Sequence, residues 1–467
     1  MKEKLTIIFP VEMMARELDF RLVLASLFAQ PHHRILLTHA SHAIRLATKL
    51  RGGGMYVGKN IGPTPTYFDD YHLAKENGFV IVHLAEEGAV FMGDENNWKV
   101  DLDQQLNPQF LSHEDWVATW GDFQRDYYLS KNIQNPKNIK TTGHPRFEIY
   151  KGLFKSIYAE EAEKLKSRFG NFVLFNSNLG WPMNPLGYED TFSAYQGYEP
   201  QDEIKKQLFV GRWNRQVHVF AEFIQLVHNL ADKHKDLNWV VRPHPSDSME
   251  DFKHIFRGVR NIYVVREGSV VPWILASSVM LNDGCTTAIE AYMMGKPVVN
   301  FIPLESKHEI FLPNLLGTRA WNQAEAEKAI LEGVRQQSHL IELPERAHQV
   351  FANFRSDSIK LFMDVLHEAE EVAPRSNTPM AQLILDQIQS FSVEQTKQVA
   401  RRFLFQKRYL AAKATRVLFP GFNRKNIHSR LGTIGKITGR YLDMKWFSPF
   451  LIELNLNEMT DAGEKRF

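Results

Sequence analysis

The chain is poor in cysteine: Cys285 stands alone among 467 residues. An intramolecular disulfide is therefore excluded, a cysteine-based zinc site is equally excluded, and a reducing cytoplasm is the natural compartment. No apolar run reaches the ~18 residues that a membrane-spanning helix needs. The start, Met1 to Pro10, has too short an apolar stretch and an acidic residue where a signal peptide wants a basic flank, so it reads as a first strand. A net charge of +2 argues against a general nucleic-acid binder. Asp69-Asp70 reads as a solvated turn.

Short apolar runs alternating with amphipathic helices fill most of the chain. Leu5 to Phe9, Ile35 to Thr38, Met55 to Val57, Phe79 to Leu84, Trp116 to Trp120 and Ile139 to Gly143 predict strands, with helices such as Glu17 to Ala29 between them. Such alternation predicts a parallel sheet covered on both faces. A second alternation starts at Phe172 to Asn176 and continues through Trp239 to Val241, Ile262 to Val265 and Met280-Leu281. Between its first two strands, Ser177 to Gln207 shows no period and predicts a long aromatic loop. The reading is an α/β protein with two doubly wound Rossmann-type units facing a cleft, at 1–168 and 169–375, followed by a basic, mainly helical extension at 376–467. Between Lys397 and Lys445 that extension holds one acidic residue, Asp443, and its basic and apolar residues interleave. An anionic membrane surface and a solvated appendage are both readings of this pattern.

Two segments carry chemistry. Asn282-Asp283-Gly284-Cys285-Thr286-Thr287-Ala288-Ile289-Glu290 predicts a strand, a turn and a helix whose first turn offers N–H groups and hydroxyls to a phosphate, with Glu290 placed for sugar hydroxyls. The alternative is an ordinary capping box joining Thr287 and Glu290. Upstream, Arg242-Pro243-His244-Pro245 sets a guanidinium and a proline-framed imidazole at the end of a buried strand, where α/β sheets bind ligands. Both groups, the imidazole as a cation, suit a phosphate. In the first unit Glu86 and Glu87 follow a strand directly, so one is expected to face the cleft as base or nucleophile while the other is structural. Asp19 and Glu17 are rivals for that role.

With these motifs in place the chain resembles the bacterial surface carbohydrate biosynthesis proteins, a family of GT-B glycosyltransferase type related to the retaining β-Kdo transferases of capsule and O-antigen assembly. The resemblance rests on Val11-Glu12, Arg16-Glu17-Leu18-Asp19, Leu84-Ala85-Glu86-Glu87-Gly88, Trp120-Gly121, Thr142-Gly143-His144-Pro145-Arg146-Phe147, Asn176-Ser177-Asn178, Arg242 to Pro245 and Gly284 to Thr287 with Glu290-Ala291. It spans residues 1–375. Ala85, His144 and Asn282-Asp283 depart from the family pattern.

The resemblance implies a cytoplasmic transferase, peripheral to the inner face of the membrane, that moves a sugar such as Kdo from CMP-Kdo onto a surface polysaccharide or lipid-linked glycan. Glu86, Glu87 and Asp19 are the catalytic candidates. Arg242, His244, Pro245, Gly284, Cys285, Thr286, Thr287 and Glu290 are the donor-binding candidates, with no cofactor, metal or nucleic acid. A nucleotide-sugar 2-epimerase, a CDP-glycerol-type polyol-phosphate transferase and a non-catalytic scaffold are the alternatives.

Overall fold

The computed structural model describes residues 3–59, 61–64, 67–336, 342–377 and 419–457. Strands β1 (Leu5–Val11), β2 (His33–His39), β3 (Gly54–Gly58), β4 (Phe79–Leu84), β5 (Trp116–Thr119) and β6 (Ile139–Thr141) belong to the first sheet. The second contains β7 (Phe172–Asn176), β8 (Asn238–Arg242), β9 (Ile262–Val264), β10 (Val279–Asn282), β11 (Val298–Phe301) and β12 (Thr318–Ala320). A C-terminal hairpin, β13 (Leu442–Ser448) and β14 (Leu451–Leu456), completes the first sheet as an eight-stranded array ordered β13-β14-β2-β1-β3-β4-β5-β6. The second sheet runs β12-β11-β10-β7-β8-β9 and is parallel throughout.

The central strands are apolar on both faces because helices cover both sides. Every residue of β1, β4 and β7 is buried, which is why each reads as an unbroken apolar run. Parallel pairing brings all strand C-termini to one edge. In the first sheet Val11 pairs with His39, Leu84 with Ala118 and Thr119 with Thr141. In the second, Asn176 pairs with Arg242, and Leu281 with Phe175. Arg242 and Asn282 therefore lie about 10 Å apart, two strand spacings with Asn176 between them.

The two halves touch through Gly93 N–H, which donates to the Glu309 carbonyl at 3.0 Å, and through Arg212 and Asp101, 3.6 Å apart. After the second sheet the chain returns to the first. Asn353 brackets His144, accepting from its N–H at 2.7 Å and donating to its carbonyl at 2.9 Å, and the helix Ser358–Val372 packs beside β4 and β5. Helix Glu203–Lys233 begins inside the stretch predicted as loop, because Asp202 caps it through Lys205 N–H at 3.0 Å.

The C-terminal segment supplies the expected helix, Arg424–Thr438, and adds the hairpin, whose period-two pattern Leu442-Asp443-Met444-Lys445 is masked by the density of charge. Two of its basic side chains, Arg430 and Arg440, face inward, while Arg424, Lys425, Lys436 and Lys445 are exposed. Arg430 donates to the Ile157 carbonyl at 2.8 Å and meets Glu161 at 2.7 Å, and Arg440 donates to the Ser26 carbonyl at 2.8 Å. The basic stretch from Lys397 to Leu418 lies outside the described residues. Among those described, no helix is long and apolar enough to cross a membrane.

Candidate active site

Glu86 and Glu87 follow β4 directly, and the chain there is pinned on both sides. Trp120 Nε1 donates to the Ala85 carbonyl at 2.7 Å, and Gln105 Nε2 donates to the Glu87 carbonyl at 2.8 Å. Gly88 permits the fit, since a Cβ there would meet the Trp120 ring at 2.3 Å. Successive side chains then point opposite ways. Glu86 turns inward and is 2% exposed, whereas the Glu87 side chain is 59% exposed.

Glu86 is the hub of a buried ion cluster. Arg21 Nη2 lies 3.4 Å from Oε1, and Arg146 Nη1 and His144 Nε2 lie 3.5 and 3.4 Å from Oε2. Burial opposes ionisation, but the His144 contact and the two guanidinium groups outweigh it and hold the carboxyl well below its usual range. His144 Nδ1 accepts from Arg146 N–H at 3.1 Å, which leaves the proton on Nε2, facing Glu86. Burial lowers this imidazole to about 4, so it sits neutral beside an ionised Glu86.

Glu87 faces Arg16, whose Nη1 donates to Oε1 at 3.0 Å. Although its side chain reaches water, the protein around it still opposes its charge by partial desolvation, and Arg16 and then Lys59 outweigh this and hold the carboxyl below its ordinary value. Glu17 lies beneath them, accepting from Glu12 N–H at 2.7 Å, with Arg16 Nη2 at 3.4 Å and Lys59 Nζ at 4.0 Å. Its carboxyl is raised by burial and by Glu86. Asp19, expected among the cleft carboxylates, is instead engaged by the C-terminal helix: Arg430 Nε lies 3.6 Å from Oδ1. Two residues beyond Glu17 on a helix, its side chain is turned to a different face.

In the second half Arg242 leaves the end of β8 and donates from Nη2 to the Glu267 and Gly268 carbonyls at 3.1 and 2.5 Å. Burial and the neighbouring Arg266 lower it to about 10, which keeps it cationic at neutral pH. The His-Pro turn after it is braced from below. His244 N–H donates to Asp247 at 3.0 Å, and Arg266 Nη1 donates to the His244 and Pro245 carbonyls at 2.8 and 3.3 Å. His244 Nδ1 accepts from Ser246 N–H at 3.2 Å, so Nε2 carries the proton. Burial lowers His244 to about 4, so the imidazole is neutral at neutral pH where the sequence suggested a cation.

Gly284 turns the chain after β10 at φ +92°, and Asn282 Oδ1 accepts from Cys285 N–H at 3.0 Å. The helix Thr287–Met293 that follows has seven residues, and Thr286 makes no capping hydrogen bond. No capping box joins Thr287 to Glu290. Thr287 Oγ1 and Glu290 Oε2 are instead buried without a hydrogen-bond partner. The short helix offers little dipole, so the hydroxyls and nearby arginines carry the local chemistry. Cys285 is buried and its thiol is pushed up to about 11, which removes it as a nucleophile.

The halves meet electrostatically at this edge. Glu290, raised by burial, lies in the field of Arg146 and Arg16 from the first half and Arg242 from the second. His244 in turn feels Glu87 and Arg16. The Nε atoms of Arg16, Arg146 and Arg242, Arg146 Nη2, and one oxygen each of Asp247, Asp283 and Glu290 are buried and unpartnered among the described residues. Buried polar atoms are normally paired, so this concentration marks a place suited to a polar ligand.

Sequence reasoning assigned no role to Arg16, Arg21 or Arg146. Their signal was present: Arg21 interrupts the apolar run Leu18 to Phe28, and Arg146 sits between Pro145 and Phe147. Cations in such settings are costly without a partner.

No protein-family model matches the chain, and no curated protein matches it. Solved structures of similar shape include UDP-GlcNAc 2-epimerase from Neisseria meningitidis, at 13% identity and TM-score 0.44, covering 78% of this chain and 100% of that one. The same enzyme from Methanocaldococcus jannaschii gives 11%, 0.47, 78% and 99%. The wall teichoic acid polymerase TagF gives 12%, 0.44, 79% and 89%. At these identities and scores the likeness carries no functional information.

Proposed function

We propose that the chain is a glycosyltransferase that moves a sugar, Kdo from CMP-Kdo being the first donor to test, from a nucleotide-sugar onto a surface polysaccharide or lipid-linked glycan. The observation that carries this reading is the convergence of Arg16, Arg146, Arg242 and His244 on the gap holding Glu87 and Glu290. Departure of a nucleotide requires cations and N–H donors aimed at a developing phosphate charge. Arg242, the His244 Nε2–H and the Thr286 and Thr287 hydroxyls are assigned that task, and Glu290 is assigned the sugar hydroxyls. No cofactor or metal is invoked for this step.

Glu87 is ionised and open to water, which suits a base for the acceptor hydroxyl or a nucleophile in a double displacement. Glu86 is a positioning residue, since it touches only the groups that hold the site. The acceptor is assigned to the aromatic insert. Tyr195 is 90% exposed there.

The test is nucleotide release from CMP-, CDP- and UDP-activated donors with and without a glycan acceptor. Acceptor-dependent CMP release that disappears in Glu87→Gln supports the reading. Turnover without an acceptor indicates an epimerase, release of CMP from CDP-glycerol indicates polyol-phosphate transfer, and no turnover at all leaves the scaffold.

A further inference from the structure

On the far side of the first sheet, where β2 begins, His32 and His33 converge on a carboxylate that belongs to the returning helix Ser358–Val372. His32 Nε2 and His33 Nε2 each lie 2.9 Å from Glu370 Oε1, and His367 Nδ1 lies 3.8 Å from Oε2. The ligand atoms of His32, His33 and Glu370 all fall within 4.8 Å of one another.

The frame is fixed before any ligand arrives. His33 N–H donates to the Gln30 carbonyl at 2.9 Å, and the His32 carbonyl accepts from Leu5 N–H at 2.9 Å. Phe28 packs on the rings of His33 and His367, with centroids 4.9 and 5.2 Å away. His33 is 1% exposed, and its Nδ1 is a buried atom without a hydrogen-bond partner. Two imidazoles that share one carboxylate oxygen must both present protons to it in the absence of a cation. A divalent ion in the same place takes both nitrogen lone pairs and the carboxylate together.

We infer that His32, His33 and Glu370 form a binding site for a divalent transition-metal ion of the zinc class, with His367 or water as a fourth ligand. Two imidazoles and a carboxylate are a borderline nitrogen and oxygen set, which favours zinc-like ions over magnesium or calcium. Arg375 Nη2 lies 3.7 Å from the same oxygen and opposes a cation, but its side chain is 48% exposed and can swing into solvent. The ion would staple the helix that follows the second sheet to the turn before β2, at a distance from the cleft. This inference does not depend on the proposed transferase activity.

The experiment uses the full chain, stripped with a chelator, then titrated with Zn²⁺, Mg²⁺ and Ca²⁺ while binding heat and melting temperature are followed. One equivalent of Zn²⁺ should bind and raise the melting temperature, with no response to the other two ions. His32 is partly exposed, so His32→Gln should fold with the melting temperature of the stripped chain while its Zn²⁺ affinity falls by about tenfold or more. Glu370→Gln provides the second reading of lost affinity. Absence of Zn²⁺ binding, or binding unchanged in both variants, overturns the site.

Discussion

Arg16 Nη1 donates to Glu87 Oε1 at 3.0 Å, and the same guanidinium acts on His244 and Glu290 of the opposite half. One side chain of the first helix thus couples the exposed carboxylate to His244 and Glu290 of the second half. Glu87→Gln keeps the shape but removes the charge. Transfer should fall by about a hundredfold or more, with stability changed by no more than ~0.5 kcal/mol, as for an exposed position. Initial rates beside a thermal melt check this, and a variant of unchanged rate removes Glu87 from the chemistry.

Glu86→Gln should show the opposite pattern. It leaves Arg21 and Arg146 buried without their counter-charge, and breaking a buried pair in this way costs about 3–5 kcal/mol. Urea unfolding of the two glutamine variants side by side separates these roles.

Asp283 provides a pH signature. Burial raises its carboxyl to about 7, so it holds a proton in the folded chain that it loses near pH 3.9 when unfolded. Its contribution to stability is fully present below about pH 4 and is lost as pH rises through about 7. Asp283→Asn should therefore match the parent near pH 4 and be the more stable chain at pH 8. Equal pH slopes for the two chains would contradict the assignment.

His83 behaves in the reverse sense. Burial alone lowers it to about 4, and neither ring nitrogen has a hydrogen-bond partner. Its folded value lies below the unfolded one, so stability is intact above about pH 6.5 and drains as pH falls through about 4. His83→Leu should flatten the acid limb by about a factor of ten in the folding equilibrium per pH unit across that window. Chemical denaturation at stepped pH measures the difference.

Residues 419–457 close the first sheet by pairing β14 with β2, Leu451 opposite Thr38 and Ile452 opposite Leu37. Removing them exposes the edge of β2 and the face against which the helix Arg424–Thr438 packs. The truncated chain should self-associate, since an open apolar edge templates further pairing. A monomer by light scattering, with an unchanged melt, would show that the hairpin only decorates the sheet.

Most of the fold was legible from local pattern. Strands such as Phe79–Leu84 and Phe172–Asn176 announce themselves because burial on both faces demands unbroken apolar runs. The hairpin Leu442–Leu456 did not, because charge at alternate positions hides a strand whose outer face is solvated. Asp202 and the first turn of the 31-residue helix Glu203–Lys233 fell inside an expected loop because the aromatic residues around them show no helical period.

The sequence by itself determined that carboxylates follow β4, that an arginine ends β8 with a proline-framed histidine after it, and that a glycine turn follows β10, since each depends on neighbours along the chain. Tertiary structure decided which carboxylate of Glu86 and Glu87 meets water, that Asp19 answers Arg430, and that the charges of Arg16 and Arg146 act on Glu290. These outcomes depend on desolvation and on charges brought together from distant parts of the chain, and neither is a local property of sequence.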